Sequence, residues 1–298
     1  MEDCPGLPLP KGRRKKKLTE KDKHYITCLF ASGKVHYTRQ ATSILREGCG
    51  IDVSHDTITR ALKEAQFILV RKVKKPRLTP HHKKARKQFT ERYENWSKAD
   101  WRCVIFSDET TITRFGAKKG QLVWRKPGNA LRKENVQGTV KFGRGSLILW
   151  GCMTSDGVGF ACKIEGKMDS DLYILILGDE LLGTFDYYGR DKEDAIFQHD
   201  NAPIHTAKKV KEWLTENDLR VLEWPAQSPD LNPIENLWAY LKRRLESYET
   251  DPDGMVELWE RVEKEWNDIP QDLCKSLIEG MPKHICAILK VKGGYTRY

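Results

Sequence analysis

The chain lacks the cysteine spacings from which metal sites and redox motifs are built. Its eight cysteines, at 4, 28, 49, 103, 152, 162, 274 and 286, are scattered, with no Cys-x-x-Cys pair and no matching pair of histidines. That argues against structural zinc and against a disulfide-stapled fold. Several sit in apolar runs, so buried free thiols in a reducing compartment are expected. There is also no N-terminal apolar segment of signal-peptide type and no apolar run of membrane length. A soluble, unsecreted protein with no membrane partner is the expectation. Internal repeats are absent, and the basic runs are the one kind of biased segment.

Negative charge is in short supply. Lys and Arg number 52 against 42 Asp and Glu, a net charge of +10 over 298 residues. Much of the excess falls in the first third, in the runs 11–17, 71–75 and 83–87. Three such clusters point to a polyanionic partner, and double-stranded DNA is the natural one. The runs 11–17 and 71–75 also have the composition of nuclear localisation signals, so the nucleus is the expected compartment.

Four regions follow from the texture of the chain. Residues 1–17 read as an extended basic arm. Residues 18–67 show three short helical patterns, Thr19 to Ser32, Thr38 to Glu47 and Ser54 to Phe67, the content of a helix-turn-helix domain. In the third pattern Ile58, Leu62 and Ala65 share one face. His55, Thr57, Thr59, Arg60 and Lys63 are left to face DNA, with Arg13 and Arg14 of the arm as further contacts. Residues 68–98 read as a basic interdomain linker with a helix started by Thr79-Pro80. Ala85, Phe89, Tyr93 and Trp96 occupy one side of that helix, and Lys83, Lys84, Arg86 and Lys87 are placed on the other, free to track phosphates. Residues 99–298 change character. Strand candidates at Cys103–Ser107, Gln121–Arg125, Ser146–Met153 and Val158–Ile164 precede strands alternating with helices, which predicts a mixed α/β domain.

Two strands of that domain each place an aspartate just past their C-terminal end: Asp108 in VIFSDE and Asp200 in IFQHDNAP. A third carboxylate, Glu235, falls in the first turn of a helix whose start is specified by Asn232 as N-cap and Pro233 at the first position. Ile234, Leu237, Trp238, Leu241 and Leu245 anchor that helix through an apolar stripe. Carboxylates brought together repel unless cations bridge them, and hard oxygen ligands suit Mg²⁺ or Mn²⁺. Each residue also has a plain structural use. Asp108 would serve as a solvated turn residue, Asp200 as a loop hydrogen-bond acceptor, and Glu235 as the far member of a capping box. Glu109 is the weaker ligand candidate, because alternation sends it to the opposite face of a continuing strand. His199 and His205 flank Asp200 as packing or hydrogen-bonding residues, and Asn201 is placed to orient a carboxylate.

The segments VIFSDET (104–110), SLILWGCMTSDG (146–157), FQHDNAPIHTA (197–207) and WPAQSPDLNPIENLW (224–238) together resemble the Tc/mariner superfamily of DNA transposases. Thirty-four residues separate Asp200 from Glu235, the spacing of one Asp-Asp-Glu branch of that superfamily. The resemblance covers about 99–298 and implies an RNase H-like fold with catalytic, metal-binding positions at Asp108, Asp200 and Glu235. Two ions of Mg²⁺ or Mn²⁺ are implied, Asp108 bridging them, and so is a homodimer or higher assembly on DNA. The basic stretch between Trp124 and Arg144 matches a family loop that meets the partner subunit or DNA. Family members carry two helix-turn-helix units joined by a basic linker. Gly12-Arg13-Arg14-Lys15 resembles that linker and 18–67 the second unit, the first being expected to be missing. The expected function is cut-and-paste transposition: binding terminal inverted repeats, cleaving the ends, and joining them to target DNA at TA. A transposase-derived regulator that binds without cleaving is the alternative, and a structure-selective nuclease of the same fold is a third reading.

Overall fold

The computed structural model describes residues 17–69, 75–114 and 145–296. Two compact units divide the chain, residues 1–74 and 75–298. Arg13, Arg14, the strand candidate Gln121–Arg125 and the basic stretch up to Arg144 lie outside the described residues.

The first unit holds α1 (Glu20–Ala31), α2 (Thr38–Cys49) and α3 (His55–Glu64). Thr19 and Asp22 form a reciprocal capping box at α1, and the Ser54 hydroxyl accepts from the Thr57 N–H at α3. Gly50, at φ 65°, ends α2 in the left-handed conformation that glycine adopts without steric cost. The three helices bury Ile26, Leu29, Ala41, Leu45, Ile58 and Ala61 around one centre. One expectation changes here. Ala65 is exposed, and Ala61 completes the stripe with Ile58, while Leu62 packs at its edge. The reason is that α3 stops at Glu64, and Gln66 turns the chain away at φ 62°.

The second unit is built on a five-stranded sheet in the order β3-β2-β1-β4-β5. Its strands are β1 (Val104–Thr113), β2 (Ser146–Thr154), β3 (Gly157–Ile164), β4 (Ile196–Gln198) and β5 (Arg220–Val221). The first three form an antiparallel meander, and β4 and β5 add parallel to β1. Successive residues of β1 point to opposite faces, and each face has its own core. Val104 and Phe106 join Leu149, Leu237, Trp238 and Trp266 on one side; Ile105 joins Trp150, Tyr173, Phe197 and Leu214 on the other.

The second face is covered by α6 (Ser170–Ile176), which runs through a π turn (Leu177–Leu181) into α7 (Leu182–Tyr188), and by α8 (Lys208–Glu216). The first face is covered by α9 (Ile234–Glu246), α10 (Met255–Asn267), α11 (Gln271–Ile278) and α12 (Met281–Lys290). Gly151 of β2 is needed for that packing. A Cβ there would stand 3.0 Å from Trp238 and 3.1 Å from Trp266, whose rings stack face to face at 5.0 Å. Since Gly151 pairs with Asp108, the missing side chain lets α9 press against the sheet beside that aspartate.

The helix expected inside a linker, α4 (Pro80–Arg92), belongs to the second unit and packs on α12; a short α5 (Lys98–Arg102) follows. Thr79 caps α4 and Pro80 opens it, as the sequence specifies. The placement of Arg86 on an outward basic face is overturned. Its side chain is 1% exposed and makes a two-pronged ion pair with Asp230, at 2.7 and 2.8 Å. A guanidinium pointing inward is stable only when its charge and its five donors are met. Asp230 and the Gln227, Gly293 and Gly294 carbonyls meet them. Among the described residues no helix is long and apolar enough to cross a membrane.

Candidate active site

The site forms where β1 and β4 part company. They pair only from Val104–Ile196 to Phe106–Gln198. Asp108 and Asp200 each lie two residues past that last pair, at the carboxyl end of β4, where sites form in parallel sheet. Asp108 is not beyond the end of its strand, as its sequence context predicts. β1 continues to Thr113 because the antiparallel ladder with β2 carries it there, Asp108 opposite Gly151 and Thr113 opposite Ser146. The aspartate is therefore held by strand geometry, with the Glu109 N–H donating to its Oδ1 at 2.8 Å.

Asp200 sits in a loop closed by its own side chain. Its Oδ1 accepts from the Ala202 N–H at 2.8 Å and lies 2.7 Å from Nδ1 of His205. Asn201 does not orient a carboxylate; its amide donates to the Trp224 carbonyl at 2.6 Å and ties this loop to the segment leading into α9.

Glu235 enters from the start of α9. A 3-10 turn, Pro229–Leu231, precedes it, and the helix proper begins at Ile234, with Pro233 already helical at φ −65°. Asn232 still performs the cap. Its carbonyl accepts from the Glu235 N–H, its Oδ1 from the Ile234 N–H at 3.4 Å, and its amide donates to the Ser107 carbonyl at 3.2 Å. That last bond fixes the helix start to the residue before Asp108. The capping box, the competing use of Glu235, does not form, since the Asn232 N–H is taken by the Pro229 carbonyl. Behind the turn, Asp230 is pinned by Arg86, by the Thr296 hydroxyl at 2.7 Å and through its carbonyl by His284.

Asp108, Asp200 and Glu235 line one pocket of about 400 Å³, together with Asn201, Trp224, Gln227 and Asn232. They surround it and do not form a closed cage: among the described residues no three Asp, Glu, His or Cys side chains converge enough to enclose an ion. The carboxylates shift in opposite directions. Burial, then the charges of Glu109, Glu235 and Asp200, push the Asp108 carboxyl up to about 8. Burial also raises Glu235, against the pull of Lys242. Asp200 goes down: although burial opposes it, His205 and the Ala202 N–H stabilise the anion. Burial alone would lower His205, but Asp200 and Glu109 carry it up to about 9. Burial and the neighbouring His205 bring His199 down to about 4.

The predicted DNA contacts form a separate set on α3 in the first unit. His55, Arg60 and Lys63 are exposed, whereas Thr57 and Thr59 are half-buried. The Thr59 hydroxyl donates to the His55 carbonyl at 2.9 Å.

The sequence names Arg86, Glu109 and His205, and the hydrogen-bonding role read for His205 is present, but it does not give Arg86 its partner or join Glu109 to His205. Arg86 was hidden in a basic run, and no spacing rule joins it to Asp230. Glu109 and His205 stand 3.3 Å apart across the site; the acidic doublet at 108–109 and the histidine five residues after Asp200 were the available signals.

The family described as DDE superfamily endonuclease matches residues 103–253, and a second family, described as Transposase, matches residues 38–95. The Tcb1 transposable element transposase of Caenorhabditis briggsae is 34% identical over 247 residues, spanning 82% of this chain and 88% of its own length. Two solved structures share the fold across 99% of this chain and at least 83% of theirs. The Mos1 transposase paired-end complex with left transposon end superposes with a TM-score of 0.78 at 19% identity. The mariner Mos1 paired end complex with Mg gives 0.76 at 20% identity and covers 85% of that chain.

Proposed function

Because the chain belongs to the Tc/mariner transposase family, whose members are DNA endonucleases and strand transferases, we propose that it is a cut-and-paste transposase. It binds the terminal inverted repeats of its element, cleaves the ends, and joins the freed 3′ ends to target DNA at TA. The observation that carries this reading is the pocket shared by Asp108, Asp200 and Glu235. Work on paired ends, as in the Mos1 complexes, calls for a dimer or higher assembly, and work on chromosomal DNA for the nucleus.

The donor set fits a hard divalent cation. It offers carboxylate oxygens alone, and burial first, then the neighbouring charges of Glu109, Glu235 and Asp200, raise Asp108, so a cation there would relieve both costs. In this reading Asp108, Asp200 and Glu235 would hold Mg²⁺ or Mn²⁺, two ions by the count of the family it resembles. When bound, the ions activate the attacking oxygen and stabilise the leaving one. The chain's own residues supply rigidity. The β1–β2 ladder fixes Asp108, the Asn232–Ser107 bond fixes the height of Glu235 above it, and the closed loop at Asp200 fixes the third ligand. In cleavage a water attacks the scissile phosphorus and the DNA oxygen leaves. In joining, the freed 3′-hydroxyl loses its proton and attacks a target phosphorus, and the target strand's own 3′ oxygen leaves, taking up a proton as a new 3′-hydroxyl.

The test is a nicking assay on labelled inverted-repeat duplex with Mg²⁺ or Mn²⁺. Wild type cuts at the element end, and Asp200→Asn loses activity by at least about 100-fold, the scale of a lost charge-stabilising group. Equal cutting by the variant refutes the assigned site. Binding of the ends with no metal-dependent cutting by wild type favours a regulator derived from a transposase.

A further inference from the structure

We infer that Glu109 and His205 are a positioning pair behind the metal site, holding Oδ1 of Asp200 so that Oδ2 is the oxygen presented to the pocket. This rests on the reading of Asp200 as a metal ligand. Glu109 alternates with Asp108 along β1 and so leaves the pocket face; its side chain is 21% exposed and approaches His205. The His205 side chain is 3% exposed and lies between two carboxylates. Nδ1 is 2.7 Å from Oδ1 of Asp200, and Nε2 is 3.3 Å from Oε1 of Glu109, at ion-pair distance but outside hydrogen-bond geometry.

The ring cannot swing freely. It stacks on Tyr173 of α6 with centroids 4.2 Å apart and on His199 at 5.4 Å, and the Tyr173 hydroxyl lies 3.0 Å from Nδ1 of His199. The pair therefore spans the gap where the β1–β4 ladder has ended, joining the strand of Asp108 to the loop of Asp200. With the Ala202 N–H and His205 both on Oδ1, Oδ2 is left to bind. Groups that orient a ligating carboxylate in this way commonly change metal affinity or activity by about 10–100-fold when removed.

The geometry assigns different parts to the two ring nitrogens, and amide side chains separate them. Asparagine places its amide near Nδ1, whereas the longer glutamine reaches toward Nε2. The experiment titrates the full-length protein with Mn²⁺, reading free Mn²⁺ by electron paramagnetic resonance, and measures metal-dependent nicking in parallel. His205→Asn, which keeps the contact to Oδ1 of Asp200 and loses the one to Glu109, should weaken Mn²⁺ affinity by about threefold, and so should Glu109→Gln, while His205→Gln and His205→Ala, which lose the Asp200 contact, weaken it by about 10–100-fold, with helical circular dichroism and duplex binding unchanged. Wild-type affinity in His205→Gln, or an equal loss in His205→Asn, overturns the inference. Should the His205 variants unfold, Glu109→Gln is read instead, and wild-type affinity there overturns it. Asp200→Asn distinguishes the two levels. If it binds Mn²⁺ like wild type the metal-site reading itself fails; if it is defective and His205→Gln is not, only the positioning pair falls.

Discussion

Asp108 has its chemistry strongly altered by its surroundings. Its carboxyl, raised to about 8 in the folded chain against an ordinary value of 3.8, binds a proton that the unfolded chain has already released over much of that interval. Stability therefore falls as pH rises from about 4 toward 8 in metal-free protein. Chemical denaturation at pH 5 and pH 8 with chelator present should show this loss, and Asp108→Asn should reduce it. An unchanged pH dependence in the variant would assign the effect to other groups. Arg86 shows what a local pattern cannot reveal. Its neighbours Lys83, Lys84 and Lys87 are solvent-facing, and only the fold brings Asp230 and the Gly293 and Gly294 carbonyls to it.

Among the elements, α9 was the most legible. Asn232-Pro233 and the apolar positions after it specified the helix, and Ile234, Leu237, Trp238 and Leu241 are buried as that stripe requires. What the sequence left ambiguous was the use of Glu235, because a capping box and a metal ligand need the same residue at the same place. The 3-10 turn at Pro229–Leu231 decides it by supplying the Asn232 N–H with another acceptor. Asn232→Ala removes both the side-chain cap and the tether to Ser107. It should cost about 1–2 kcal/mol in stability, read by denaturant unfolding, and reduce nicking more than it reduces duplex binding. Equal losses in both would deny the tether a role in placing Glu235. The extent of β1 was less legible. The strand candidate ends at Ser107, and Glu109 to Thr113 is mostly polar, yet the β2 ladder continues through it.

For the whole molecule, the order of strands and helices and the concentration of basic charge toward the beginning of the chain indicated a helical unit before a mixed α/β unit. The two units are both present. The division between them was harder to place, because basic composition alone does not tell a linker from a helix built into the next unit. Electrostatic binding through α3 has a measurable signature. Arg60→Ala and Lys63→Ala, if each removes a phosphate contact, should weaken duplex binding and lower the slope of log affinity against log salt by about 1 apiece. Unchanged slopes would place the contacts elsewhere. The central claim concerns the pocket, and anomalous diffraction from crystals grown with Mn²⁺ addresses it most directly. Manganese peaks are expected within ligand distance of Asp108, Asp200 and Glu235; peaks elsewhere, with Glu235 folded back onto the Asn232 N–H, would contradict the metal-site reading.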